Sequence, residues 1–207
     1  MPDTNKKELR YLNIEETRAV EDNGKRTIGG YAAVFWKFSE DLGGFKERIA
    51  KGAFKDSVAS DDIRSLWNHN FDILLGRTKS NTLRLFEDDF GLGFDLDLPD
   101  TSAGRDTFEL VKRGDVSGVS FGFTVNKETW EFKGEDEPSL RTLLDIKLYE
   151  ISPTPFPAYT QTQVGIRSFN EILQENLPKP FARRAEIEAR FAKSKYSHLK
   201  NKQLFKL

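Results

Sequence analysis

The chain has 207 residues, a formal net charge of −1, 31% charged residues and 37% apolar ones. That length suits one domain plus an appendage, and the composition is that of a globular chain with a charged surface, not a disordered one. It contains no cysteine, which excludes disulfides, thiolate metal sites and a cysteine nucleophile. The balanced charge gives no reason to expect nucleic-acid binding. No apolar run approaches the roughly 20 residues of a membrane helix. The start "MPDTNKKELRYLN" has no apolar segment behind its charges, so neither a membrane span nor a secretory signal is expected. The chain is expected to work in the compartment where it is made.

Residues 8–20 read as an opening strand, clearest at "RYLNI". "EDNGKRTIGGYAAVF" reads as a hairpin turning at Asn23-Gly24, with "TIGGYAAVF" as the returning strand. Residues 44–60 predict a helix that starts at Gly52-Ala53, with Phe54, Val58 and Ala50 on one side. Strands resume at "IRSLWNHN" and run through "LLGRTKSNTLRLFEDDFGLGFDLDLP", where Phe94, Leu96 and Leu98 alternate with Asp95 and Asp97. Residues 101–114 predict a short helix capped by Thr101 or Ser102 and stopped by Gly114. Residues 116–125 and 141–152 predict two further strands, separated by the polar loop "KGEDEPS". Pro153, Pro155 and Pro157 should end regular structure.

The character changes after residue 168. From Phe181 onward there are eight Lys/Arg against two Asp/Glu and no strand pattern. The predicted organisation is a domain over 1–168 and a basic, partly helical C-terminal appendage over 169–207. A surface helix packed on the domain is the other reading of that segment. Many strands and few helices predict a mostly β fold: a closed or nearly closed β-barrel of about seven strands flanked by short α-helices.

Three residues could carry chemistry. On the strand 116–125, Val119, Phe121, Phe123 and Val125 share one face, and Gly118, Ser120, Gly122 and Thr124 share the other. Ser120 thus lies between two glycines, which let another group approach closely; the same pattern also fits a small-residue face packed under a helix. On the strand 141–152, Leu144, Ile146, Leu148 and Glu150 alternate onto one face. A carboxylate closing that apolar run must be paired if buried, or the strand end is simply exposed. His69, in "SLWNHN", is one of two histidines. It could be a structural residue or the base that a serine hydroxyl needs before it becomes a nucleophile. A metal site is not expected, because zinc needs several close ligands and the other histidine, His198, lies in the basic tail. No nucleotide-binding glycine pattern and no calcium loop is present. Gly76-Arg77 reads either as an oxyanion donor or as a turn.

"GYAAVF" (30–35), "FKERIAKGAFKDSV" (45–58), "LWNHN" followed by "LLGRT" (66–78), "GDVSGVSFGF" (114–123) and "YEISPTPFPAY" (149–159) occur in this order. So arranged, the chain over about 8–168 resembles the HK97-type (caudovirus) prohead proteases of tailed phages and prophages, a family related in fold to the herpesvirus assembly proteases. The resemblance implies a seven-stranded barrel wrapped by helices. It also implies a serine endopeptidase that cleaves scaffold segments, capsid protein and itself, inside the procapsid in the bacterial cytoplasm. The partners would be the major capsid protein and scaffold, with a homo-oligomer compatible and no cofactor needed. The site residues carried over are Ser120 as nucleophile, His69 as general base and Glu150 as third member. The herpesvirus relatives use a second histidine in that third place; none stands at a corresponding position here, which leaves Glu150 or, less well, Asp145. Ser117 competes with Ser120 but alternates onto the face of Val119 and Phe121, expected to be interior. Two other classes remain distinguishable: a non-catalytic scaffolding protein on the same fold, and a barrel that binds nucleic acid through its tail with salt-sensitive affinity.

Overall fold

The computed structural model describes residues 7–13, 18–133 and 137–155. In chain order they form β1 (Glu8–Asn13), β2 (Arg18–Asp22), β3 (Lys25–Val34), β4 (Phe45–Ile49), α1 (Lys55–Ser60), β5 (Arg64–Trp67), β6 (Asn70–Arg77), β7 (Leu83–Glu87), β8 (Gly91–Leu98), α2 (Ser102–Lys112), β9 (Gly118–Glu131) and β10 (Ser139–Thr154). One sheet runs β1-β9-β10-β5-β6 with β4 also paired to β10, and the other runs β2-β3-β8-β7.

The mostly β class with few helices stands. The closed barrel does not: the strands divide into two sheets, and among the described residues an isolated parallel bridge, Phe35 to Ile49, links β3's end to β4. The ladder stops there because Trp36, the next residue, takes a φ of 58°, a left-handed turn that carries the chain away. Inward-facing side chains of both sheets fill one core. Ile28, Leu92, Phe94 and Leu96 come from the four-stranded sheet, and Phe121, Phe123, Leu143, Ile146, Leu148 and Ile151 from the other.

The hairpin at Asn23-Gly24 forms as its turn chemistry requires, with φ of 48° and 79° between the paired residues Asp22 and Lys25. Helix α2 also forms as read, with the Thr101 side chain accepting from Gly104 N at 3.2 Å and Gly114 at φ 79° just past its end. Three further expectations fail. The opening strand read over 8–20 is two strands, β1 and β2, in different sheets. The helix over 44–60 is confined to Lys55–Ser60; Phe45, Glu47 and Ile49 are instead alternate buried residues of β4, paired in parallel with β10. Gly52, at φ 89°, breaks the chain between them. Pro153 does not end β10, which continues to Thr154, because Pro153 lies in register with Val119 and its carbonyl accepts from Asn68 N at 3.0 Å. The appendage expected over 169–207 lies outside the described residues.

A buried ion network ties four strands together. Arg141 on β10 bonds Glu8 of β1 (2.8 Å), Glu47 of β4 (2.9 Å) and Glu128 of β9 (2.7 Å). Arg10 of β1 bonds Glu47 (2.7 Å) and Glu8 (2.6 Å). Burial pushes the Glu8 carboxyl up, but the guanidiniums of Arg141 and Arg10 outweigh it and bring it from its ordinary 4.5 down to about 2. A carboxyl held low in the folded state stabilises fully above its unfolded value, and that contribution is lost as pH falls. Denaturant unfolding should therefore show stability declining from about pH 4.5 toward pH 2. Arg141→Ala, which leaves the buried Glu8 and Glu47 without that partner, should lose roughly 3–5 kcal/mol at neutral pH and flatten this decline.

Candidate active site

Ser120 lies on the face of β9 away from the core, with Gly118, Gly122 and Thr124, while Val119, Phe121, Phe123 and Val125 are buried in the core as their alternation requires. It sits opposite Tyr11 of β1 on one side and Ser152 of β10 on the other. Its side chain is fully buried, and its hydroxyl donates to Arg10 O at 2.8 Å.

Glu150 reaches the same face by a route the alternation did not show. Leu148 pairs with Phe123 and Glu150 with Gly122, so β10 has one residue more than β9 at this point, a β-bulge at Tyr149. The extra residue moves Glu150 off the apolar face of Leu148 and onto the face of Ser120. Helix α1 supports the distortion, with Leu148 N donating to Ser57 Oγ at 2.8 Å. Gly122 leaves room for the carboxylate: a Cβ there would lie 2.5 Å from Glu150 Oε1.

His69 sits at the tip of the β5–β6 hairpin. Trp67 pairs with Asn70, and the two residues between them, Asn68 and His69, have φ of 48° and 59°. This matches the two positive φ values of the Asn23-Gly24 turn, with histidine where that turn has glycine. Left-handed backbone at a histidine is held only by its surroundings. Three bonds to β10 hold it: Asn68 N to Pro153 O (3.0 Å), His69 N to Ser152 Oγ (3.1 Å) and Thr154 Oγ1 to Asn68 Oδ1 (2.7 Å).

So placed, His69 Nδ1 lies 2.8 Å from Glu150 Oε1. Glu150 is only 2% exposed, and Ser152 Oγ donates to its other oxygen at 2.6 Å. An ionised carboxylate can only accept, so with a neutral ring this contact would place the proton on Nδ1 and the lone pair on Nε2. Nε2 is buried and has no hydrogen-bond partner. The structure therefore joins His69 to Glu150 and brings both to the face of Ser120. Ser120 and Ser152 are directly opposed, which puts their Cβ atoms about 4.5–5.5 Å apart. The Ser120 hydroxyl, however, is engaged by Arg10 and not by His69.

The remaining candidates lie elsewhere. Asp145 is half-buried in register with Lys127 and accepts from Asn126 Nδ2 at 3.3 Å. Ser117 is exposed just before β9, not interior as expected. Gly76 is three strands from Ser120, roughly 14 Å by strand spacing. Arg77 N donates to Thr82 Oγ1, and the Arg77 guanidinium pairs with Asp62, so this segment is the paired end of β6, neither an oxyanion donor beside Ser120 nor a turn. Ser152 was missed. Its signal was the spacing Glu-x-Ser, which places both side chains on one face once the bulge is passed.

A family model described as caudovirus prohead serine protease matches residues 14–175. The chain belongs to that family. It is 30% identical over 171 residues to the prohead protease of Enterobacteria phage HK97, covering 79% of this chain and 70% of that protein. The capsid assembly protease of bacteriophage T4 is a weaker structural likeness, with a TM-score of 0.46 and 11% identity over 73% of this chain and 98% of that one, too slight to carry an argument. The membership makes this chain a phage prohead maturation protease.

Two outcomes follow for this prohead protease. His69→Gly and His69→Ala both remove the imidazole, but only glycine relieves the left-handed backbone. The glycine variant should be more stable than the alanine variant by about 1 kcal/mol in denaturant unfolding. Gly122→Ala should displace the Glu150 carboxylate and reduce proteolysis sharply while far-ultraviolet circular dichroism stays that of the wild type.

Proposed function

We propose that the chain is a serine endopeptidase in which Ser120 is the nucleophile, His69 the general base and Glu150 the group that orients the imidazole. The observation that supports this most is the 2.8 Å contact from His69 Nδ1 to the buried Glu150 carboxylate, which leaves Nε2 unpartnered. Catalysis requires the Ser120 hydroxyl to turn about its Cα–Cβ bond from Arg10 O to Nε2. Nε2 then removes the hydroxyl proton as Oγ bonds to the peptide carbonyl carbon. The leaving amine takes that proton when the C–N bond breaks, and water releases the acyl group by the same path in reverse. Glu150 stabilises the imidazolium formed between these steps.

Beside Glu150 a cleft of about 320 Å³ is lined by Lys7, Arg64, Leu66, Phe71, Thr124 and Tyr149. It would receive a substrate side chain next to the scissile bond. The substrates proposed are the capsid protein and its scaffold segment, met inside the procapsid in the host cell. The family match ends at residue 175, close to the proposed division between a peptidase domain over 1–168 and a basic appendage over 169–207.

Co-expression of the chain with its capsid protein, followed by mass spectrometry of the products, tests the reading. Ser120→Ala and His69→Ala should each abolish processing and leave the fold intact. Normal product sizes with both variants would mean a scaffolding protein, and the reading would be wrong.

A further inference from the structure

Ser152 is fully buried, yet both of its hydrogen-bonding directions go to one pair of residues. Its hydroxyl donates to Glu150 Oε2 at 2.6 Å and accepts from the main-chain N–H of His69 at 3.1 Å. It thus touches the carboxylate from one side and the backbone that carries the imidazole from the other. Without the donor, the second oxygen of Glu150 loses the bond that fixes the plane of the carboxylate. Without the acceptor, the N–H of a histidine in left-handed backbone loses its partner. Ser152 also stands directly opposite Ser120 on the neighbouring strand.

We propose that Ser152 is a positioning residue of the proteolytic site, setting the carboxylate plane of Glu150 and the hairpin-tip backbone of His69 so that Nε2 faces Ser120. This rests on the serine-peptidase reading above. Ser152 makes no bond to the reacting atoms and is not the nucleophile, because its proton is committed to Glu150.

The test uses the full chain and a fluorophosphonate reagent, which forms a covalent bond to an activated serine and expels fluoride, the serine proton passing to the base. Labelling is followed by intact mass, and the modified residue is located by peptide mapping. The wild type should be labelled at Ser120. Ser152→Ala should lower the maximal labelling rate about ten- to a hundred-fold, the loss expected for a hydrogen bond to a charged group, with the reagent concentration for half-maximal rate unchanged. Ser152→Cys, close in volume but a weak hydrogen-bonding group, should fall alike and carries the test if the alanine variant does not fold. Ser152→Thr, which keeps the hydroxyl, should recover most of the rate. A merely structural serine would lower the melting temperature and leave the maximal rate of folded protein alone, and that result would overturn the inference. Absence of label at Ser120 in the wild type, or label at Ser152, would instead overturn the serine-peptidase reading, and this inference with it.

Discussion

Between Leu148 and Glu150, β10 takes up one residue more than its partner β9, and the rest of the site is arranged around that offset. Side chains alternate along a strand, so without the extra residue Glu150 would point with Leu148 into the core, where an ionised carboxylate has no partner. With it, Leu148 and Ile151 remain in the core, while Glu150 and Ser152 point to the opposite face beside Ser120. The bulge is supported from within: Ser57 of α1 takes up the Leu148 N–H and itself donates to Asp61 at 2.6 Å. Packing, backbone hydrogen bonding and the placement of the carboxylate are satisfied by the same distortion.

The second constraint is the conformation of the β5–β6 turn. A two-residue hairpin loop selects positive φ at both positions, and asparagine followed by glycine is its natural filling. The chain uses that filling at Asn23-Gly24 and departs from it at Asn68-His69. The departure is tolerated because β10 binds the tip through Ser152, Pro153 and Thr154. On the other flank, β1 is anchored through Glu8 and Arg10 to the buried network around Arg141. The same Arg10 offers its carbonyl to the Ser120 hydroxyl. The Ser120 hydroxyl is thus held by a strand that the interior charges keep in register, and the proposed chemistry would begin with release of that one hydrogen bond.

Much of this was legible in the sequence, and the limits have physical causes. The alternation of β9 gave both faces of the Ser120 strand correctly, since no bulge interrupts 118–125. The Asn23-Gly24 hairpin and the cap of α2 followed from turn and capping chemistry. His69, Ser120 and Glu150 each stand out in the sequence, yet unbroken alternation puts Glu150 on the wrong face. A bulge has no mark in a single sequence when the inserted residue is an ordinary tyrosine. The hairpin tip at "WNHN" was passed over because histidine conceals a turn that glycine would have declared. The segment 44–60 misled because Phe45, Glu47 and Ile49 precede a true helical turn, and a five-residue strand that gains its stability from pairing to residues 139–143 carries little signal of its own. The barrel expectation counted strands without knowing where Trp36 turns the chain.

The central claim is that Glu150 fixes the imidazole of His69 with its proton on Nδ1 and its lone pair on Nε2. Nitrogen-15 NMR of the imidazole measures this directly, and with only two histidines in the chain a His198→Gln variant leaves a single ring to observe. At a pH where the ring is neutral, the expected spectrum shows a protonated Nδ1 and an unprotonated Nε2, the reverse of the tautomer favoured by free histidine in water. A ring protonated at Nε2 would contradict the account, because it could not accept the proton of Ser120.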